Sequence, residues 1–134
     1  MRKIAIKLCG LNTERAVEAA AGLGPDFAGF VIYPRSPRHV SPETMQRLKA
    51  RLQAGTKTVA VLADPDDALL EQVMHTAAPD YLQLHGAEQA SRLHHIRDRY
   101  HVRLIKALPV RTANDIDRAS AFENAADILL FDAL

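Results

Sequence analysis

A single cysteine, Cys9, excludes an internal disulfide and fits a reducing compartment, so a cytoplasmic protein is expected. Charge of one sign is also lacking. Seventeen Lys and Arg stand against sixteen Asp and Glu, a net charge of +1, which leaves no broad electrostatic footprint for nucleic acid or an anionic membrane. Small-molecule partners are expected instead. The apolar stretch near the N-terminus is interrupted by Lys3 and Lys7 and falls well short of the roughly 18 residues of a membrane span, so neither a span nor a signal peptide is expected. Glycine is missing where a dinucleotide would need it: "CGLNTE", after the first strand-like run, has one glycine and no G-x-G-x-x-G. Linkers and low-complexity tracts are absent too, and with 48% hydrophobic residues the 134-residue chain reads as one domain able to bury a core.

What the sequence does have is a regular beat. Short runs rich in β-branched and aliphatic residues recur at "IAIKLC", "FAGFVIY", "KTVAVLA", "DYLQLHG", "VRLIKAL" and "DILLFDAL", each separated by a segment of helical periodicity. Six strands and five helices follow. The first helix is expected to open at Thr13, to carry Ala16, Val17, Ala20 and Leu23 on one face and to stop near Gly24-Pro25. Ser41-Pro42-Glu43 opens the second, with proline at the first helical position. Leu69, Leu70, Val73 and Met74 mark the third, Leu93, Ile96 and Tyr100 the fourth, Ile116, Ala119 and Phe122 the fifth. Strand and helix units of roughly 25 residues imply parallel strands joined by right-handed crossovers.

Two α/β architectures fit: an open doubly wound sheet, or part of an eight-stranded (βα)8 TIM barrel. An open parallel sheet is covered on both faces and wants almost wholly apolar strands. Here one face carries Ala5, Lys7 and Cys9 in the first strand, Tyr81, Gln83 and His85 in the fourth, and Ile128, Leu130 and Asp132 in the sixth. The polar members gather toward strand ends, where a barrel has its active site. The barrel is therefore the expected fold, with residues 1–134 supplying strands one to six of a single partial domain. Taken alone, Cys9 would read as a small buried hydrophobe; in that setting it becomes a candidate for chemistry.

The strings "KLCGL", "GFVIYPRSPRHVS", "YLQLHG" and "ILLFDAL", in that order and at those separations, resemble the phosphoribosylanthranilate isomerases of tryptophan biosynthesis, which are (βα)8 barrels. The resemblance covers the whole chain. It implies an Amadori rearrangement of an aminoaldose phosphosugar, N-(5-phosphoribosyl)anthranilate, to the amino-ketose. A general acid protonates the ring oxygen as the ring opens, and a general base removes the proton from the second sugar carbon. By resemblance, Cys9 is the base and Asp132 the acid. A thiol must then work as thiolate and a carboxyl must keep its proton, against ordinary values of about 8.5 and about 3.9. Lys7 is expected to favour the thiolate, and the apolar surroundings of Leu130 to favour the neutral carboxyl. Arg38, rather than Arg35, is the expected grip on the anthranilate carboxylate.

His85 is a further substrate-binding candidate, for a sugar hydroxyl, with a loop-bonded histidine as the alternative. Lys7 and Gln83 complete the substrate-facing set as polar interior residues that orient the others. Asp64 is expected to cap the helix after Pro65. His94 and His95 are adjacent and point apart on their helix, so no metal set forms, and neither metal nor cofactor is expected. A monomer or homodimer is expected. The family continues past "ILLFDAL" with a glycine-rich loop, two more strands and helices, and the backbone amides that hold the ribose phosphate; no phosphate ligand is assigned within these residues. A longer protein or a cleaved one is preferred over a fragment that pairs with a complementary segment. A neighbouring phosphosugar barrel, such as an epimerase or an indole-forming synthase, would call for other residues than "KLCGL".

Overall fold

The computed structural model describes residues 3–133. Six strands, β1 (Lys7–Cys9), β2 (Phe27–Val31), β3 (Lys57–Leu62), β4 (Tyr81–Leu84), β5 (Arg103–Val110) and β6 (Ile128–Ala133), form one parallel sheet in strict chain order. That order decides between the two candidate architectures. A doubly wound sheet reverses its order at a switch point, whereas this one always adds the next strand on the same side.

Each crossover holds a helix: α1 (Glu14–Leu23), α2 (Pro42–Lys49), α3 (Asp67–Thr76), α4 (Ala90–Tyr100) and α5 (Ala113–Asp117), which runs into a 3-10 turn at Arg118–Phe122. The helix starts follow side-chain chemistry. Thr13 and Ser41 cap α1 and α2, accepting from the amides of Ala16 and Thr44, and Pro42 sits in the first turn. Gly24 ends α1 in the left-handed conformation, φ 60°, which costs a residue without Cβ little.

The alternating faces of the strands enter different cores. Ala28, Phe30, Leu62, Leu82, Leu84 and Leu104 pack outward with Val17, Leu70 and Ile96 of the helices. Val31, Val59, Val61, Tyr81 and Ile105 face the other way and form a second cluster, against which Phe27, Tyr33 and Leu130 pack. A sheet with its own apolar filling on the concave side is a curled half-barrel.

Some details differ from expectation. Ala5 lies before β1, outside the sheet. Leu23 is exposed: it is the last residue of α1 and lies about 120° around the helix from the buried Val17. In the fifth segment Ile116 is exposed, and the chain leaves the α-helix after five residues. Ala119 and Phe122, three apart, suit the 3-10 period of the turn that follows. No helix among the described residues is long and apolar enough to cross a membrane.

Candidate active site at the mouth of the half-barrel

The register runs Cys9–Gly29–Val59–Tyr81, so the ladder sets Gln83 and His85 beyond the level of Cys9, toward the C-terminal ends of the strands. Gln83 and His85 follow Tyr81 on the same face and so rise toward the C-terminal mouth. Asp132, paired with Pro109 at the end of β6, stands there as well.

Five of the six predicted site residues join in one row. Lys7 Nζ lies 3.5 Å from Cys9 Sγ and donates a short hydrogen bond to Gln83 Oε1. Gln83 Nε2 is 3.3 Å from His85 Nδ1, and His85 Nε2 is 3.1 Å from Asp132 Oδ2. A thiol at one end and a carboxyl at the other are thus connected across the concave face. Gln83 is buried, Lys7 half-buried, and Cys9 exposed, so this cysteine is available for chemistry and does not fill the core. Asp132 departs from expectation in its setting: its side chain is 42% exposed and its partner is an imidazole, where apolar shielding by Leu130 was expected.

Arg38 reaches the same place from the loop after β2. Gly10, with φ 82°, leaves the space that a Cβ would take from the Arg38 guanidinium and its Cδ, and that contact lays Arg38 against the residue following Cys9. Arg38 also lines a cavity of about 450 Å³ with Tyr33, Ser36, Asp64 and His85; Arg35 does not line it. Among the described residues the Arg38 guanidinium makes no hydrogen bond or ion pair, so its donors are free for an anion.

Asp64 needs a correction. The cap of α3 is Asp66, whose carboxylate accepts from Leu69 N. Asp64 instead turns back to the loop after β4 and accepts from Ala87 N at 3.0 Å. Its backbone is left-handed, φ 45°, a conformation Asp tolerates better than most residues, and Gly86 has no Cβ because the Asp64 carboxylate occupies that space.

Lys106 and Glu88 are the residues the sequence reading missed. Both side chains are 2% exposed and paired at 2.8 Å. Lys106 also donates to Gly86 O, while Glu88 accepts from Asp64 N and Gly86 N. This buried knot ties the loops after β3 and β4 together behind His85. The available signal was a lysine in the middle of the apolar run "RLIKAL", which only a buried partner makes tolerable. Among the described residues no group of three or more His, Cys, Asp or Glu side chains is placed to hold a metal ion.

The sequence model of the family described as N-(5'phosphoribosyl)anthranilate (PRA) isomerase matches residues 6–134. The N-(5'-phosphoribosyl)anthranilate isomerase of Caulobacter sp. (strain K31) is 48% identical over 128 residues, 95% of this chain and 60% of that protein. The solved phosphoribosyl anthranilate isomerase of Thermotoga maritima superposes with a TM-score of 0.85 at 27% identity, over 98% of this chain and 62% of that one. A phosphoribosyl anthranilate isomerase in complex with reduced 1-(o-carboxyphenylamino)-1-deoxyribulose 5-phosphate gives 0.84 at 27% identity, over 98% and 66%. The chain spans about 60% of the length of the curated relative it matches. With sequence, strand order and structural neighbours in agreement, the chain belongs to the N-(5'-phosphoribosyl)anthranilate isomerase family.

Proposed function

We propose that the protein isomerises N-(5-phosphoribosyl)anthranilate to 1-(2-carboxyphenylamino)-1-deoxyribulose 5-phosphate, an Amadori rearrangement in tryptophan biosynthesis, in the cytoplasm and as a monomer or homodimer. The observation that carries this reading is the connected row from Cys9 to Asp132 across the mouth, with Arg38 beside it.

The chemistry divides between the ends of the row. Asp132 protonates the ribose ring oxygen as the C–O bond breaks, leaving a Schiff base between the anthranilate nitrogen and the first sugar carbon. Cys9, as thiolate, then takes the proton from the second carbon, and the electrons of that C–H bond move to give the enolamine, which tautomerises to the ketone. Lys7 Nζ, 3.5 Å from the sulfur, places a hydrogen-bond donor beside Cys9. Arg38 offers two parallel donors to the anthranilate carboxylate and so orients the ring.

The test is conversion of phosphoribosylanthranilate by the protein at the full length of its relatives. Cys9→Ser and Asp132→Asn should each lower kcat by about 10²–10⁴-fold, the usual worth of a positioned acid or base. Replacing Arg38 should raise KM far more than replacing Arg35; equal effects would remove Arg38 from the substrate contact. Normal turnover by either Cys9→Ser or Asp132→Asn ends the assignment.

A second reading has its own observation: β1 pairs only with β2 and β6 only with β5 among the described residues, leaving two open edges. The 134 residues would then act only when a complementary segment closes the barrel. Turnover by these residues alone, against turnover after adding the remaining third of a relative, separates the two readings; a missing phosphate site should raise KM and lower kcat together.

A further inference from the structure

We propose that Lys7 sets the direction of the hydrogen bonds crossing the mouth, and thereby holds His85 in the tautomer that carries its proton on Nε2 and presents it to Asp132. The tautomer stands on geometry alone; its use in turnover rests on the isomerase reading above.

The ammonium group of Lys7 has donors and no acceptor. The Gln83 atom facing Lys7 Nζ must therefore be the amide oxygen. The amide nitrogen, a donor only, is then the atom 3.3 Å from His85 Nδ1, and Nδ1 must accept. A neutral imidazole has one donor and one acceptor, so the proton sits on Nε2, and Asp132 Oδ2 accepts it at 3.1 Å. Turning the amide over would set its NH2 against the ammonium. Gln83 is 3% exposed, so little water is at hand to relieve the clash, and an unmade buried bond costs about 1–3 kcal/mol.

The fixed tautomer has a chemical consequence. A ring with a bare Nε2 would accept a hydrogen bond from a protonated Asp132 and hold that proton between the two side chains. With Nε2 already protonated, that route is closed. Oδ2 is occupied as an acceptor, and Oδ1, which makes no hydrogen bond among the described residues, is the oxygen left to carry the proton for the sugar. Lys7 thus acts at both ends: directly on Cys9, and on Asp132 through Gln83 and His85. Gln83 and His85 are positioning residues in this scheme.

Long-range proton–nitrogen correlation on the 134-residue chain with ¹⁵N-labelled histidine, at about pH 8 and so above the ordinary imidazole value, reads the two ring nitrogens separately. His85→Gln identifies the signal among the six histidines. His85 should show a protonated Nε2 and a bare Nδ1; a protonated Nδ1, or averaging between tautomers, overturns the proposal. Gln83→Glu is isosteric, keeps an oxygen toward Lys7 and puts another toward Nδ1, so it should move the proton onto Nδ1 or charge the ring. An unchanged Nε2–H ring in that variant overturns the proposal. Should Gln83→Glu lose its fold by circular dichroism, Lys7→Met is read instead, with mixed tautomers expected and a pure Nε2–H ring as the refuting result. None of these readouts requires turnover, so failure of the isomerase assignment would appear separately.

Discussion

A methyl group at position 29 would stand 2.7 Å from Cys9 Sγ, so the sulfur would have to shift, and 3.2 Å from Lys7 Cε, a tight contact that the lysine would have to ease. Gly29 is the partner of Cys9 in the β1–β2 ladder, and its missing side chain is what lets the thiol and the ammonium lie side by side. Gly29→Ala should therefore displace the sulfur and lower kcat, with a smaller effect on stability, since the strand itself accepts alanine. Denaturation and steady-state kinetics on the same variant check this; unchanged kcat would mean that the thiol position is not critical. At this scale the sequence was informative about which residues meet at the mouth. Cys9, Lys7, Gln83, His85 and Asp132 all emerge from strand alternation and motif. What alternation does not report is contact: nothing in the spacing of Lys7 and Gln83 indicates that they touch, because they are distant in the chain and their strands are separated by two others.

At the scale of elements, the loops after β3 and β4 hold together through the buried Lys106–Glu88 pair. Lys106→Met leaves the Glu88 carboxylate buried with backbone amides as its remaining donors, and should destabilise the fold by about 3–5 kcal/mol, the usual cost of breaking a buried pair. Urea unfolding measures it. Adding Glu88→Leu should not restore stability, because the amides of Asp64 and Gly86 would then lose their acceptor. A full rescue would show that the pair alone, and not the backbone capping, is what counts.

The N-terminal segment is tied down differently. The amide of Ile6 donates to Asp26 at 2.8 Å and, opposed by partial burial and aided by Lys3, holds that carboxyl below its ordinary value of 3.8. A lowered folded value means that the contribution is complete above the ordinary value and is lost as the pH falls through the folded one. The Ile6 amide resonance should therefore titrate with a midpoint below about pH 3.8. Asp26→Asn should abolish that titration, and its persistence would assign it to another group. The helix starts Thr13 and Ser41 were legible because capping is local chemistry. Asp64 was misread for the same reason: an Asp before a proline looks like a cap, and its bond to Ala87 is made across 23 residues of chain.

For the whole molecule, the two outer strands are the decisive feature. Phe131 and Ile128 on β6, and Ile4 and Ile6 leading into β1, are all large apolar side chains left exposed. Unpaired strand edges with apolar flanks invite pairing with another chain. The 134 residues alone should therefore self-associate with rising concentration, and Ile6→Lys with Phe131→Lys should reduce it; sedimentation velocity over a concentration series is the check. Concentration-independent monomer for the unmodified chain would show that the edges are protected.

The sequence by itself determined the order of the elements, the parallel sheet and the identity of the residues gathered at strand ends, since periodicity, caps and alternation are properties of neighbours in the chain. Tertiary structure decided the rest. The curl of the sheet carries Lys7 across to Gln83, places Arg38 over Gly10 and finds Lys106 its carboxylate, and each of these contacts depends on where distant segments meet. Short-range sterics and hydrogen bonding write the first kind of information into every few residues. Burial and charge pairing create the second only once the strands stand side by side.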